Sequence, residues 1–283
     1  MKKVAKISVI VLVISFVGLM VTMMVSGDSV TDMFLGKRDL VEDHQTFSGA
    51  DIERIDLDVQ NAKINIQPTT ERDITVEYKG EVSPIAGATD QFIADQQGDE
   101  LSINKEQFPM AFIFNLGTHN EINLYLPEKT FKAVNLDVAA AKIDVVGLQA
   151  NQLDIETSAG KIDLASIKSN QTTIESSAGA VDIDQITGDL DVDTSAGRVV
   201  INLEKLEQNI DVDSSVGEVV INTLKTPDNM RLDFSASAGS GDVEVPLEFD
   251  VRSHNRIKGI VGDGDYKVYV RTSAGAFRFN VVE

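Results

Sequence analysis

From residue 134 onward, apolar and polar residues alternate in short runs that resemble one another. VNLDVAAAKIDV (134–145), LDIETSAGKIDL (153–164), TTIESSAGAVDI (172–183), LDVDTSAGRVVI (190–201) and IDVDSSVGEVVI (210–221) follow in tandem. IDLDVQNAKINI (55–66) stands ahead of them, and LDFSASAGSGDVEV (232–245) and VYVRTSAGAFRF (268–279) come after. Each unit turns on a small pivot residue: Ala62, Ala141, Gly160, Gly179, Gly197, Gly217, Gly239 and Gly275. Apolar residues recur five places before the pivot (Leu57, Leu136, Ile155, Val192, Val212) and four places after it (Ile66, Val145, Leu164, Ile201, Ile221). Period two on both sides of a small-residue corner predicts two short strands joined by a bend. Glycine relieves the steric limits of the bend, and the Ser and Thr beside it can bond local backbone groups.

One such unit cannot bury its apolar face alone, whereas stacked units can, at ~4.8 Å per rung. The expected fold is therefore all-β: a parallel β-solenoid of about eight short coils stacked in chain order. An antiparallel meander or sandwich is the alternative. The corners lack the Asn-Gly or Gly-Gly pairs of tight hairpins, and like residues recur in register, which favours the solenoid. No proline falls between Pro127 and Pro227, as central strands require.

Two stretches break the repeat. Between about Pro68 and Lys132, ITVEYKGEV (74–82), LSINKEQ (101–107), AFIFNL (111–116) and EINLYLPE (121–128) read as ordinary strands. Residues 83–100 between them read as loop or a short irregular helix. This insertion is expected to cap the first coil's open edge. A second insertion, 246–267, reads as a longer strand and a Gly-rich turn. The non-repetitive aromatics of the cap insertion, Phe108, Phe112, Phe114 and Tyr125, are candidates for partner contact, with cap packing the simpler role.

The N-terminus has a different pattern. Lys2, Lys3 and Lys6 precede nineteen uncharged residues, Ile7 to Val25. At ~1.5 Å per residue this run just crosses a ~30 Å hydrocarbon core, and the lysines orient it with the N-terminus in the cytoplasm. A retained signal anchor fits the length better than a cleaved signal peptide. The expected organisation is then a basic tip and transmembrane helix (1–27), an extracytoplasmic spacer (28–46), the first coil with its β cap (47–133) and the solenoid repeats (134–283). The membrane is the first expected partner, and the location is the cell membrane, single-pass, with the C-terminal domain outside.

Composition narrows the chemistry. The 283 residues carry a net charge of −20, which disfavours nucleic acid. There is no cysteine, so disulfides, thiolate metal sites and cysteine nucleophiles are absent. The three histidines, His44, His119 and His254, are scattered and form no triad. Ser158, Ser177, Ser195, Ser215, Ser237 and Ser273 recur at the corners, whereas a nucleophile would occur once. No phosphate-binding loop or dinucleotide fingerprint is present; GDGD (262–265) is a turn signal. No catalytic residue and no cofactor is expected.

The remaining chemistry is acidic. Carboxylates recur six and four places before the pivot, and neighbours ~4.8 Å apart repel by about 0.9 kcal/mol in bulk-water dielectric. DVDTSAG (191–197) and DVDSSVG (211–217) begin like a calcium loop, which makes Asp191, Asp193, Asp211 and Asp213 candidate ligands. The glycine falls one place late and the twelfth position holds Asn202 or Asn222 instead of Glu. At most, weak non-stoichiometric cation binding is expected. Lys63, Lys142, Lys161 and Arg198, just after the pivot, are the expected neutralisers of these acids.

LPEKTFKAVNLDV (126–138), the serial SAG-centred strand pairs and the ending GDGDYKVYVRTSAGAFRFNV (262–281) resemble the bacterial putative-adhesin domain of unknown function, whose membrane-anchored members are called LiaG-like. The resemblance spans about Ile52 to Val282. It implies a β-solenoid outside the cytoplasmic membrane, often in envelope-stress settings in Gram-positive bacteria, and it brings no catalytic residues. The departures are Ala62 and Ala141 at the pivot, where a less tight bend is expected. The function expected is non-enzymatic adhesin-like binding or an envelope-stress scaffold, with an envelope protein or cell-wall polymer as partner. The alternatives are an accessory regulator bound to a membrane sensor and, more remotely, a glycan-active β-helix enzyme.

Overall fold

A computed structural model describes residues 39–82, 91–106 and 120–282. The apolar run 7–25, His119, Phe108, Phe112 and Phe114 lie outside the described residues. The regular elements described are all strands: β1 (Asp39–Phe47), β2 (Arg54–Val59), β3 (Lys63–Thr69), β4 (Ile74–Val82), β5 (Gln91–Gln97), β6 (Glu100–Glu106) and β7 (Glu121–Pro127). Then follow β8 (Thr130–Val146), β9 (Gln149–Leu203), β10 (Ile210–Thr223), β11 (Met230–Val243), β12 (Glu248–Arg252), β13 (Arg256–Val261) and β14 (Tyr266–Val281).

The repeats stack in parallel and in register. β8 lies on β9 with Leu136 opposite Ile155 and Ala141 opposite Gly160. The end of β9 lies on β10 with Val192 opposite Val212 and Gly197 opposite Gly217. Like apolar residues therefore share columns, and Leu136, Ile155, Ile174, Val192 and Val212 are all buried. The parallel pairing settles the body as a solenoid and not a meander. β9 is one uninterrupted trace through three rungs.

The corners explain the glycines. Gly160, Gly179, Gly197 and Gly217 have φ between 140° and 156°, where side chains are strained. A Cβ at Gly179, Gly197 or Gly217 would sit 1.7 Å from the carbonyl oxygen of the glycine one rung below. The backbone stacks on itself here with no room for a methyl group. At Ala62 the strand is instead interrupted over residues 60–62, and the Asn120 amide donates to the Asn61 carbonyl at 2.9 Å. A second corner runs through Gly147, Ser166 and Gln185, with φ of 67°, 56° and 62°.

Four features depart from the sequence reading. First, rungs do not follow chain order at either end. β6 pairs in parallel with β2, and β7 with β3, so the first insertion supplies a rung of its own. β14 lies between β10 and β11, parallel to both. Apolar alternation is the same in every rung, so it specifies stacking without specifying sequence. Second, residues 39–46 do not remain a spacer: they form most of β1, antiparallel to β4. Their charge and weak apolar pattern suit an edge strand with little to bury. Third, Gln91–Gln97, read as loop or helix, is β5, antiparallel to β6. Fourth, the second insertion holds two short antiparallel strands, β12 and β13, the latter on β11. Antiparallel strands thus cover both ends of the parallel stack.

Candidate functional site

Alternation around the corner builds a long concave feature. Five and three places before the pivot, side chains enter the core; four and two places before it, they face out. The outward residues of six stacked rungs line one groove of about 680 Å³. Glu156, Glu175, Asp193 and Asp213 form one side, continued by Arg271. Ser158, Ser177, Ser195, Ser215, Ser273 and Ser237 form the other, in that spatial order. The hydroxyl column repeats with the rung and presents donors and acceptors along a line.

The electrostatics are uneven. Asp191 is pushed above the ordinary carboxylate range by burial, then by Asp211, Asp193 and Asp213, against the pull of Arg271. Burial also pushes Asp211 up, although Arg271 counteracts it. Near the other end, Asp58 is raised by burial and by Asp137 and Asp56. Arg271 donates from Nε to Asp213 Oδ1 at 2.7 Å, and from Nη2 to Asp213 Oδ2 at 2.6 Å and to Asp211 at 3.0 Å. Glu156, Glu175 and Asp193 have no ion pair among the described residues.

The four aspartates singled out from the sequence, Asp191, Asp193, Asp211 and Asp213, do come together, on two adjacent rungs. Arg271 stands among them. Among the described residues, no group of three or more His, Asp or Glu is set to hold a metal ion. Arg271 is the one base in a column that otherwise holds carboxylates and Ser235; what places it against Asp211 and Asp213 is the intercalation of β14, which the repeat pattern does not encode.

The expected neutralisers act elsewhere. Lys63 pairs with Glu121 at 3.1 Å. Lys142 pairs with Asp144 and Asp163 at 2.6 and 3.1 Å, and Lys161 with Asp163 and Asp182 at 2.5 and 2.9 Å. Arg198 pairs with Glu218 at 3.1 Å. All these acids lie after the pivot or in the cap, because the corner turns the two strands onto different faces. Among the described residues, Arg271 is the one base paired with a groove acid.

His44 and His254 do not enter the groove. His44 is on β1, 3.6 Å from Glu77, and His254 is exposed between β12 and β13. Tyr125 lies on β7 opposite Thr75, its phenol pushed up by burial and by Glu77.

The family model described as Toastrack DUF4097 matches residues 52–279. No curated protein matches the chain. Solved structures similar to it include a putative cell adhesion protein from Clostridium sporogenes ATCC 15579, at 17% identity, covering 86% of this chain and 100% of that one with a TM-score of 0.38. A putative adhesin from Bacteroides fragilis NCTC 9343 shares 10% identity over 86% and 98%, with a TM-score of 0.46. A putative lipid binding protein from Parabacteroides distasonis ATCC 8503 shares 12% over 87% and 97%, with a TM-score of 0.43. At these values they inform neither the site nor its use.

Proposed function

The chain belongs to the Toastrack DUF4097 family, and on that premise we propose that it is a non-enzymatic, adhesin-like binding protein whose recognition surface is the groove of serines and carboxylates. The observation that carries this reading is the groove's continuity across six rungs. A periodic surface suits a long partner engaged at several repeats, and it lacks the single differentiated pair of groups that hydrolysis requires. Charge sets the partner class. Glu156, Glu175 and Asp193 have no ion-pair partner among the described residues, so an extended partner bearing regularly spaced cationic groups fits best.

We place this domain outside the cytoplasm, held by the apolar run 7–25 as a signal anchor, with an envelope protein or a cell-wall polymer as the natural partner. Oligolysine serves as the probe of the groove. It should bind the full chain with an affinity that falls steeply with salt, and E175Q/D193N should weaken it about tenfold, or ~1.4 kcal/mol. Unchanged affinity in that variant would remove the groove from the account. Protease added to intact cells should digest the β domain; its survival would contradict the location alone.

A further inference from the structure

The last rung in the chain is not the last rung in the stack, and the residues that hold it there are identifiable. β14 pairs with β10 and β11 in one common frame: Gly275 faces both Gly217 and Gly239, and Val270 faces both Val212 and Phe234. The same frame would let β11 sit directly on β10. Ile210 would meet Leu232, Val212 would meet Phe234, Ile221 would meet Val243, and the glycine column would remain continuous. The apolar pattern and the hydrogen-bond ladder therefore do not choose between the two orders.

Other contacts do choose. Direct stacking would set Asp211 against Asp233, whose own base is Lys258 on β13, and leave Asp213 without a base. The intercalated rung instead brings Arg271 to Asp211 and Asp213, and Arg278 to Glu218 at 2.5 Å. Asn280 donates to Asn222 at 2.8 Å, extending the amide ladder from Asn202. Phe277 lies opposite Gly241 and stacks on Phe234 at 5.1 Å between centroids. Direct stacking would put only Val219 opposite Gly241.

Chain connectivity favours the other order first. Asp213 and Arg271 are 58 residues apart, whereas the pivots of β10 and β11 are separated by 22. The shorter loop closes at lower entropic cost, and local pairings form faster. We infer that the chain has a second stacking order, β11 directly on β10, that it visits while folding, and that β14 then inserts between them and is retained by Arg271, Arg278 and Phe277. The stack is a two-state element in which one rung enters after its neighbours have met.

The absence of cysteine makes the order readable by engineered disulfides in the full chain, refolded in detergent to accommodate residues 7–25. S215C/S273C spans adjacent rungs. S215C/S237C spans two rungs, ~9.6 Å, beyond the ~7 Å limit for a disulfide. S215C/S253C reports random collisions. With oxidant pulsed at increasing delays, S215C/S237C should crosslink several-fold above the S215C/S253C control early and fall to that control as S215C/S273C rises. S215C/S237C at the control level at every delay would overturn the proposal. In an R271D/R278E background, the S215C/S237C crosslink should persist at equilibrium. Full closure of S215C/S273C there would overturn the role of the two arginines, and if that variant does not fold, the pulse series on the parent chain decides.

Discussion

The two strands of each rung stack by the same rule, yet they solve the charge problem differently. After the pivot, acids and bases interleave: Lys142 bridges Asp144 and Asp163, Lys161 bridges Asp163 and Asp182, and Glu218 receives both Arg198 and Arg278. Asn202, Asn222 and Asn280 bond rung to rung on the same face. Before the pivot, carboxylates stack on carboxylates until Arg271 meets Asp211 and Asp213 and Lys258 meets Asp233, and Asp58, Asp191 and Asp211 are all raised. Both faces border one core and one glycine corner. The difference therefore does not come from folding constraints, since the post-pivot face shows that the same backbone accommodates paired charges. A face left with excess charge is the face with charge to offer a partner.

The corner that separates the faces is the most sensitive place to break them. Gly197→Ala puts a methyl group 1.7 Å from the Gly179 carbonyl, and φ of 156° adds strain. A loss of about 4 kcal/mol or failure to fold is expected, read as a urea midpoint. Gly98→Ala provides the control: its φ is also positive, at 65°, but its surroundings are open, so about 1 kcal/mol is expected.

Arg271→Gln comes next. It removes the base beside Asp211 and Asp213, leaving the groove wholly acidic. These groups are substantially exposed, so solvent screening limits the loss to roughly 1 kcal/mol near neutral pH. The loss should shrink in high salt, and an unchanged loss at 1 M salt would point to packing instead of charge.

Titration separates the faces by sign. The raised Asp58, Asp191 and Asp211 hold protons more tightly folded than unfolded, so their contribution is present below the unfolded value of 3.8 and is lost as pH rises through their folded values. Across the corner, burial would raise Asp163, but bonds from Lys161 and Lys142 hold it below the ordinary value. Glu121 is lowered by its bond from Lys63. Those contributions are present above the unfolded values and are lost as pH falls through the folded ones. Stability should therefore rise modestly as pH falls from neutral toward 4 and drop below it. D191N/D211N should be more stable than the parent at pH 7 and should flatten that rise; an unaltered pH profile would contradict the assignment.

Lys161→Met, which opens one bridge on the paired face, should cost under about 1 kcal/mol. The smallest effect concerns divalent ions. Millimolar calcium should raise the melting temperature over chelator by a degree or so, through diffuse screening of the groove, and equal values would remove even that.

The repeat was legible because eight pivots and their flanking apolar columns recur in frame, and each column's burial follows from alternation. The stacking order was not. Val270 fits against Val212 as well as Phe234 does, so periodicity is silent on which rung lies where. The groove was half legible. Alternation sets its acids in columns, but the glycine corner by itself accounts for Ser158, Ser177 and Ser195 in the sequence. That they line a groove depends on how six rungs align. Spacing pairs Lys142 and Lys161 with acids before the pivot, whereas they bond acids after it, because spacing gives proximity along the chain and not which side of a bend a side chain faces. β1 is not legible in the sequence because an edge strand such as DLVEDHQTF has little apolar periodicity to announce it.

Two triple variants with the same change in net charge test the central claim most directly. E156Q/E175Q/D193N neutralises the groove, and D144N/D163N/D182N neutralises the paired face. Measured against oligolysine at fixed salt, the first should lose at least tenfold in affinity and the second should stay within about twofold of the parent. Equal losses in both would mean that only the overall charge matters, and the claim that the groove face is the recognition surface would fail.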